Sequence, residues 1–189
     1  MDLATAAGSI FAALGLSGAA GLNAWIPLLA TALLARWGVI DLAEPYANQS
    51  STPALIALGA ALVLDFVGDK VPVVDSVLHA IGTVVHPLAG AVLFAGQTGL
   101  ATDIPPVLAW LAGAAVSGTL HGGRAAVRPA STATTAGTAN PLLSAAEDLV
   151  SGALTALAIV APAVAFVLVL GLLGAVVVVV RTVLLRRRA

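Results

Sequence analysis

The chain has 189 residues, of which 60% are hydrophobic and only 9% are charged, and its mean hydropathy is +1.06. Because soluble domains carry about 25% charged residues, this composition excludes an ordinary soluble domain and predicts a protein built for the bilayer. The formal net charge of −1 attracts no nucleic acid, and the lack of cysteine excludes disulfides, thiolate metal sites and cysteine nucleophiles. We therefore expect one polytopic membrane domain over residues 1–189, with membrane lipids and not nucleic acid as its partners.

Six apolar segments predict an all-α integral membrane protein, a bundle of about six transmembrane helices. A helix needs roughly 20 mostly apolar residues to cross the hydrocarbon core. Barrel strands would alternate polar and apolar residues, and these segments do not. The predicted spans cover residues 3–35, 53–70, 76–98, 104–123, 141–160 and 162–185.

The first segment is too long for one untilted crossing and has several potential breaks. Gly15, Gly18 and Gly21 are expected to interrupt it, and Asn23 and Pro27 follow. Two alternatives are open: one long broken helix, or a hairpin of two helices that re-enters the membrane.

Two later segments also contain irregular features. His86-Pro87 is expected to interrupt the third span, and Pro105 is expected at the first position of the fourth helix, where proline is tolerated. The hydroxyl-rich segment 131–141 is interpreted either as a flexible linker or as a re-entrant segment that faces a water-filled cavity.

The distribution of basic residues predicts the orientation of the spans. Positively charged residues collect on the cytoplasmic side, so the C-terminus and the connection after the fourth span are expected there. The loop 38–52 carries acidic residues and is expected outside, with Arg36 as the exception. Six crossings would place both termini inside, whereas a hairpin at the start would move the N-terminus outside. The basic residues assigned to the cytoplasmic side are Lys70, Arg124, Arg128, Arg186, Arg187 and Arg188.

Two pairs of segments resemble each other, and two explanations are open: an internal repeat or chance similarity. Residues 78–89 and 120–131 share a Leu-His pair and a proline at one offset of 42 (121 − 79 and 129 − 87). Residues 20–29 and 136–143 share a Gly, an Asn and a Pro-Leu-Leu run. Small transporters are often built from such repeats, with sites on broken helices at the repeat interface.

Acidic residues near the end of the second span form the first candidate site. Asp65 and Asp69 are four residues apart, so both carboxylates share one helix face, and Lys70, Pro72 and Asp75 follow. An ionisable group inside a span is expensive and is therefore a functional candidate. The alternative is an interfacial cluster that only contacts headgroup water.

His86 is the strongest intramembrane candidate among the histidines. It precedes Pro87, which frees the carbonyl of Thr83, so its imidazole could relay protons or coordinate a cation. The alternative is a structural histidine bonded to a neighbouring helix. His79 and His121 are expected nearer the interface. Because the three histidines lack the spacing of a zinc site, we predict no metal and no cofactor.

Three stretches carry a resemblance to a known family. They are Gly21-Leu22-Asn23, the Asp-Lys-x-Pro-x-x-Asp pattern over 69–75, and the run 130–141 with its Ser-Thr-Ala-Thr-Thr stretch. Together they resemble a bacterial membrane family catalogued only as a domain of unknown function, family 4126, and the likeness covers most of the chain. The resemblance implies a multi-pass protein of the bacterial inner (cytoplasmic) membrane with a basic C-terminal tail, and it implies no activity.

The leading hypothesis is a small transporter or channel for an unidentified small solute or ion, acting as one copy or as a homo-oligomer. Protonation of Asp or His side chains would couple the movement to the proton gradient. The residues expected along the path are Asn23, Asp65, Asp69, Lys70, Asp75, His86, Thr134, Thr135, Asn140 and Glu147.

Two other classes of function are open. A structural or lipid-binding scaffold would use faces of small residues, such as the spacing of Gly118 and Gly122, although the same spacing serves packing within one bundle. An intramembrane enzyme acting on lipid would use Asp65, Asp69 and His86. No enzyme motif demands that function, since the chain has neither Gly-x-Ser-x-Gly nor His-Glu-x-x-His.

Overall fold

The computed structural model describes residues 3–69, 71–98 and 103–186, and these form seven α-helices and no strand. The prediction of an all-helical protein is therefore confirmed. A 3-10 helix covers Tyr46–Ser50 in the loop after the second helix. The helices are α1 (Leu3–Leu22), α2 (Trp25–Arg36), α3 (Thr52–Gly68), α4 (Pro72–Thr98), α5 (Pro106–Thr135), α6 (Asn140–Val160) and α7 (Pro162–Arg186).

Four stretches of the described helices are long and apolar enough to cross a membrane, in agreement with a membrane protein. They are Leu3–Leu22, Val77–Thr98, Asn140–Val160 and Pro162–Thr182. α2 and α3 are apolar but shorter, about 18 Å and 26 Å at a rise of 1.5 Å per residue. The count of about six crossings therefore remains a prediction, and so does the internal repeat.

The helices run alternately up and down around α1, which packs against α4, α5, α6 and α7. Ser17 of α1 bonds to Gly90 of α4, while Ala20, farther along α1, meets His86, earlier on α4. α1 and α4 are therefore antiparallel. In the contacts between α1 and α6, residue numbers rise along one helix as they fall along the other, so α6 is antiparallel to α1. In the contacts between α1 and α7, residue numbers rise along both helices together, so α7 is parallel to α1. The pairs are Ala19 with Ser151, Asn23 with Asp148, Phe11 with Phe166, and Gly18 with Val169.

α2 turns back along the bundle, so the first apolar segment is a hairpin. Leu28 of α2 packs with Ala89 of α4, and beyond α2 the backbone N–H of Ala43 donates to the carbonyl of Gly96 near the end of α4. Since α4 runs antiparallel to α1, this path returns the chain to the end of the bundle where α1 begins. The start of α1 and the end of α7 therefore lie at opposite ends of the bundle.

The glycines of α1 do not interrupt the helix, so that expectation was wrong. They allow close packing instead: a Cβ added at Gly15 would lie 2.8 Å from the Cβ of Ala158 and 2.9 Å from that of Ala165. Small residues let helices approach closely where apolar surface alone gives little drive for association. The break falls later, at Asn23 and Ala24.

The expected interruption at His86-Pro87 is not found, because α4 runs through Pro87 as one continuous helix. α5 likewise runs through Pro129. The fourth predicted helix begins with Pro106 at its first position and not with Pro105. Proline within a membrane helix is tolerated where neighbouring groups satisfy the freed backbone.

The hydroxyl-rich segment consists of the end of one helix, a turn and the start of the next, which contradicts the flexible-linker interpretation. α5 continues to Thr135, and a four-residue turn over 136–139 leads into α6. Ala136 and Gly137 have positive φ angles of 50° and 82°, which stop the helix and reverse the chain.

Candidate functional site

Side chains of α5 and α6 bond to the backbone at the break between α1 and α2. A helix end leaves its last carbonyls without intrahelical partners. Here Ser151 of α6 donates to the carbonyls of Ala19 and Asn23 at 3.0 and 3.3 Å, and Arg124 of α5 donates to the carbonyl of Leu22. The Ala19 carbonyl also accepts from the backbone N–H of Asn23, so Ser151 adds a second bond there, while Arg124 supplies a partner for the Leu22 carbonyl.

Asn23 links the break to two carboxylates. Its side-chain oxygen accepts hydrogen bonds from the backbone N–H groups of Trp25 and Ile26 at 2.9 and 3.2 Å, and so caps the start of α2. Its amide nitrogen donates to Asp65 of α3 and to Asp148 of α6, both at 2.8 Å. The two bonded carboxylate oxygens can therefore be no farther apart than twice 2.8 Å.

A second layer of charge lies next to this pair. Arg128 donates to Asp75 at 2.5 Å, to Ser144 at 2.7 Å and to Glu147 at 3.3 Å, and thereby joins α4, α5 and α6. Arg124 pairs with Glu147 at 2.6 Å. We call the two layers together the polar cluster, which consists of Asn23, Asp65, Asp75, Arg124, Arg128, Ser144, Glu147 and Asp148.

The polar cluster is largely buried, with Asp65, Arg124 and Glu147 partly exposed, and it has an excess of negative charge. Asn23 is 1% exposed, Arg128 7% and Asp148 9%. Its four carboxylates exceed its two guanidiniums by two, so its formal charge is −2 when all the groups are ionised. Each charged group inside a membrane helix costs about 2.5–3.5 kcal/mol on insertion scales, and such groups usually mark a pathway or a binding site.

Three histidine rings form a column beside the cluster. The ring of His121 on α5 lies 4.2 Å from that of His86 and 5.0 Å from that of His79, both on α4. Gly82 makes room for this column, because a Cβ there would lie 3.0 Å from both His121 and His86. His121 is buried inside the bundle, at 4% exposure.

His86 bonds to a neighbouring helix, as the structural alternative expected. Its Nδ1 lies 2.5 Å from the carbonyl oxygen of Ala20, within the last turn of α1. Its own backbone carbonyl accepts a 2.6 Å hydrogen bond from Ser117. The imidazole therefore supports the end of α1 at the break.

The structure brings together only some of the residues that were predicted to line the path. Asn23, Asp65, Asp75 and Glu147 belong to the polar cluster, and His86 lies beside it. Asp69 ends α3, where its backbone N–H donates to the carbonyl of Asp65. Lys70 lies outside the described residues.

The remaining residues predicted to line the path form hydrogen bonds outside the polar cluster. The hydroxyl of Thr135 donates to the carbonyl of Ser131 at 2.8 Å, and that of Thr134 donates to the same carbonyl at 3.2 Å. The side chain of Asn140 contacts Ser131 and Thr132 at 3.0 and 3.1 Å. These contacts join α5 to the start of α6, at the turn between the two helices and not in the polar cluster.

Sequence reasoning missed Arg124, Arg128 and Asp148 as members of the site. The two arginines were assigned to a loop, whereas both lie within α5. Their spacing of four residues, which places both on one helix face, was the available signal. Asp148 follows the first residue of α6 by eight positions (148 − 140), about 12 Å along the axis, and so lies well inside the helix.

Comparison with known proteins identifies the family. The family model described as Domain of unknown function (DUF4126) matches residues 10–182, which include most of the hairpin and the whole polar cluster. No curated protein and no solved structure matches the chain. The resemblance seen in the Asp-Lys-x-Pro-x-x-Asp and Ser-Thr-Ala-Thr-Thr stretches is thus confirmed, and the chain belongs to the family of the domain of unknown function DUF4126.

Proposed function

We propose that this protein is a small transporter of the bacterial inner membrane, and that Asp65 and Asp148 bind the cation or proton that drives or accompanies transport. The observation that carries the proposal is the sharing of one Asn23 amide by both carboxylates. Like charges this close favour uptake of a proton or another cation, because it relieves their repulsion.

The helix break supports the proposal. Transporter sites are commonly formed where a membrane helix is interrupted, since the freed backbone groups and flanking side chains can contact a solute or ion. Here the interruption, its capping amide and the two carboxylates occupy one place in the bundle. A small shift of α2 or α3 would change all of these contacts at once.

The orientation that we propose places the C-terminus and the polar cluster toward the cytoplasm. Arg124, Arg128 and Arg181 lie toward the end of the bundle where α7 finishes, and Arg36 lies toward the other end. This distribution favours the first end as the cytoplasmic side. The N-terminus would then be periplasmic.

Ion flux into proteoliposomes tests the proposal. Wild-type protein should dissipate an imposed pH gradient, or carry Na⁺ or K⁺, faster than protein-free vesicles. Asp148→Asn and Asp65→Asn should each reduce that flux by about tenfold, the effect of roughly 1.4 kcal/mol. Asp103→Asn, the same change at an exposed carboxylate, should leave it unchanged. Wild-type flux equal to that of empty vesicles for every ion would contradict the proposal.

A structural scaffold is the second candidate, and the contacts of Arg128 favour it. That guanidinium joins three helices through Asp75, Ser144 and Glu147, as a purely structural clamp would. On this alternative, Asp148→Asn would lower the unfolding midpoint in detergent while no variant and no wild-type protein conducted ions.

A further inference from the structure

We propose that a cavity between α2, α3 and α6 binds a lipophilic monocation, such as a quaternary ammonium or phosphonium ion. This inference names the class of substrate, so its physiological meaning rests on the transporter function proposed above. Binding itself is a property of the cavity and can be measured without transport.

The cavity has a size and lining suited to an apolar ligand. Its volume is about 520 Å³, within the range of about 300–1,000 Å³ typical of small-molecule sites. Its apolar lining comes from Ile26 of α2, Phe66 of α3, and Ala145, Leu149, Gly152 and Ala153 of α6. Among the described residues that line the cavity, Asp148 carries the charge.

Asp148 gives the cavity its charge preference. The described contacts of Arg124 and Arg128 go to the carbonyl of Leu22, Ser144, Asp75 and Glu147, and not to Asp148. Asp148 instead accepts from the neutral amide of Asn23, behind which lies Asp65. A buried carboxylate whose hydrogen bond comes from a neutral donor, on an apolar wall, is better compensated by a cation than by an anion or a neutral molecule.

Phe66 adds a second contact suited to a cation. It follows Asp65 on α3 and lines the same cavity as Asp148 and the apolar residues of α6. An aromatic ring within about 6 Å of a cation attracts it by roughly 0.5–1 kcal/mol or more when water is excluded. A carboxylate on one wall and an aromatic ring on the other thus favour a bulky monocation.

The cavity opens sideways from the bundle. α3 and α6 do not pack directly against each other within the described part of the chain, although Asn23 bridges their carboxylates. Leu149, at the rim, is 76% exposed. In a bilayer this opening would face the acyl chains, from which a lipophilic cation could enter without crossing the polar ends of the bundle.

Equilibrium binding of tetraphenylphosphonium to the purified protein in detergent tests the inference. Tetraphenylborate is the matched probe, because it has nearly the same shape and apolar surface and the opposite charge. Wild-type protein should bind the phosphonium saturably and the borate at least about tenfold more weakly. Equal binding of both ions, or no saturable binding of the phosphonium, would overturn the inference.

Two variants test the contribution of the carboxylate charge and of the free volume of the cavity separately. Asp148→Asn removes the carboxylate, and Gly152→Leu fills the cavity, since a Cβ at Gly152 meets no atom within 4 Å. Each should weaken phosphonium binding about tenfold or more. The controls Asp103→Asn and Gly174→Leu, which make the same changes at an exposed carboxylate and at an open glycine of α7, should bind like wild type. Unchanged binding in both cavity variants would overturn the inference even if they fold normally.

The outcomes for binding and for transport are distinguishable. If the phosphonium does not bind while Asp65 and Asp148 still support ion flux, the cavity inference fails and the proposed transport stands. If it binds but no ion or phosphonium flux occurs, the transporter proposal fails and the cavity remains a binding site. A third outcome is that the wild-type protein retains a copurified phospholipid, that Asp148→Asn releases this lipid, and that no phosphonium binds. This outcome would identify a lipid as the occupant and overturn the inference of a cation site.

Discussion

At the scale of single residues, Asn23 has the largest number of distinct roles. Its oxygen caps α2, its nitrogen holds Asp65 and Asp148, and its backbone carbonyl accepts from Ser151. An amide can do this because it offers two donors and an acceptor in one plane. A carboxylate at the same position would lack the donors and add a third negative charge.

Replacing Asn23 by alanine should destabilise the protein strongly. The change removes a helix cap and leaves two buried carboxylates without their shared donor, at a total cost of roughly 2–4 kcal/mol. The measurement is the free energy of unfolding in mixed detergent micelles. Asn48→Ala, at an exposed loop asparagine, is the control and should change it by less than about 0.5 kcal/mol. Equal stabilities of the two variants would show that the Asn23 contacts contribute little.

At the scale of the helices, close approach through glycine sets the packing of α4 on α5. A Cβ added at Gly113 would collide with the backbone carbonyl of Gly90, which cannot move aside as the end of a side chain could. The same two helices carry the histidine column and the Asp75–Arg128 ion pair. Their separation therefore determines whether both features can form.

Gly113→Ala should force α4 and α5 apart and destabilise the bundle by about 1–3 kcal/mol. Gly122→Ala is a matched control in the same helix, because a Cβ there meets no atom within 4 Å. It should be neutral or stabilise by up to about 1 kcal/mol, since alanine favours the helix. Thermal unfolding followed by size-exclusion chromatography compares the two. A Gly113 variant as stable as the Gly122 variant would contradict the close contact of the backbones.

At the scale of the whole molecule, the hairpin of α1 and α2 decides the topology. With this hairpin, seven described helices alternate in direction, and the chain begins and ends at opposite ends of the bundle. The expectation of both termini on one side holds only without the hairpin. Apart from Arg36, the described arginines lie toward one end in either case, so their distribution could not distinguish the two alternatives.

Cysteine labelling in cells expressing the protein checks this topology, and the lack of native cysteine provides a clean background. A membrane-impermeant maleimide added outside spheroplasts should modify Ala4→Cys and Glu44→Cys. Thr138→Cys, in the turn between α5 and α6, should react only after the membrane is disrupted. Reaction of Ala4→Cys and Thr138→Cys from the same side would contradict the arrangement.

The amino-acid sequence by itself determined that this protein is built for a membrane, that it is helical, and which family it belongs to. Charge-poor apolar segments of membrane length exclude a soluble fold, because only helices and closed barrels satisfy their backbone in lipid. The sequence also identified Asn23, Asp65, Asp75 and Glu147 as candidates, since polar groups in such segments are costly and few. These inferences use only the content of each segment and the spacing within it.

Only the tertiary structure decided which of these groups meet. Asn23 contacts Asp65 across 42 positions of the chain and Asp148 across 125. Helical periodicity reports which residues share a face of one helix, but not which helix covers that face or the direction in which α2 runs. The placement of Arg124 and Arg128 inside α5 followed from partners on other helices: Asp75 and Glu147 neutralise these charges, and no local pattern encodes that contact.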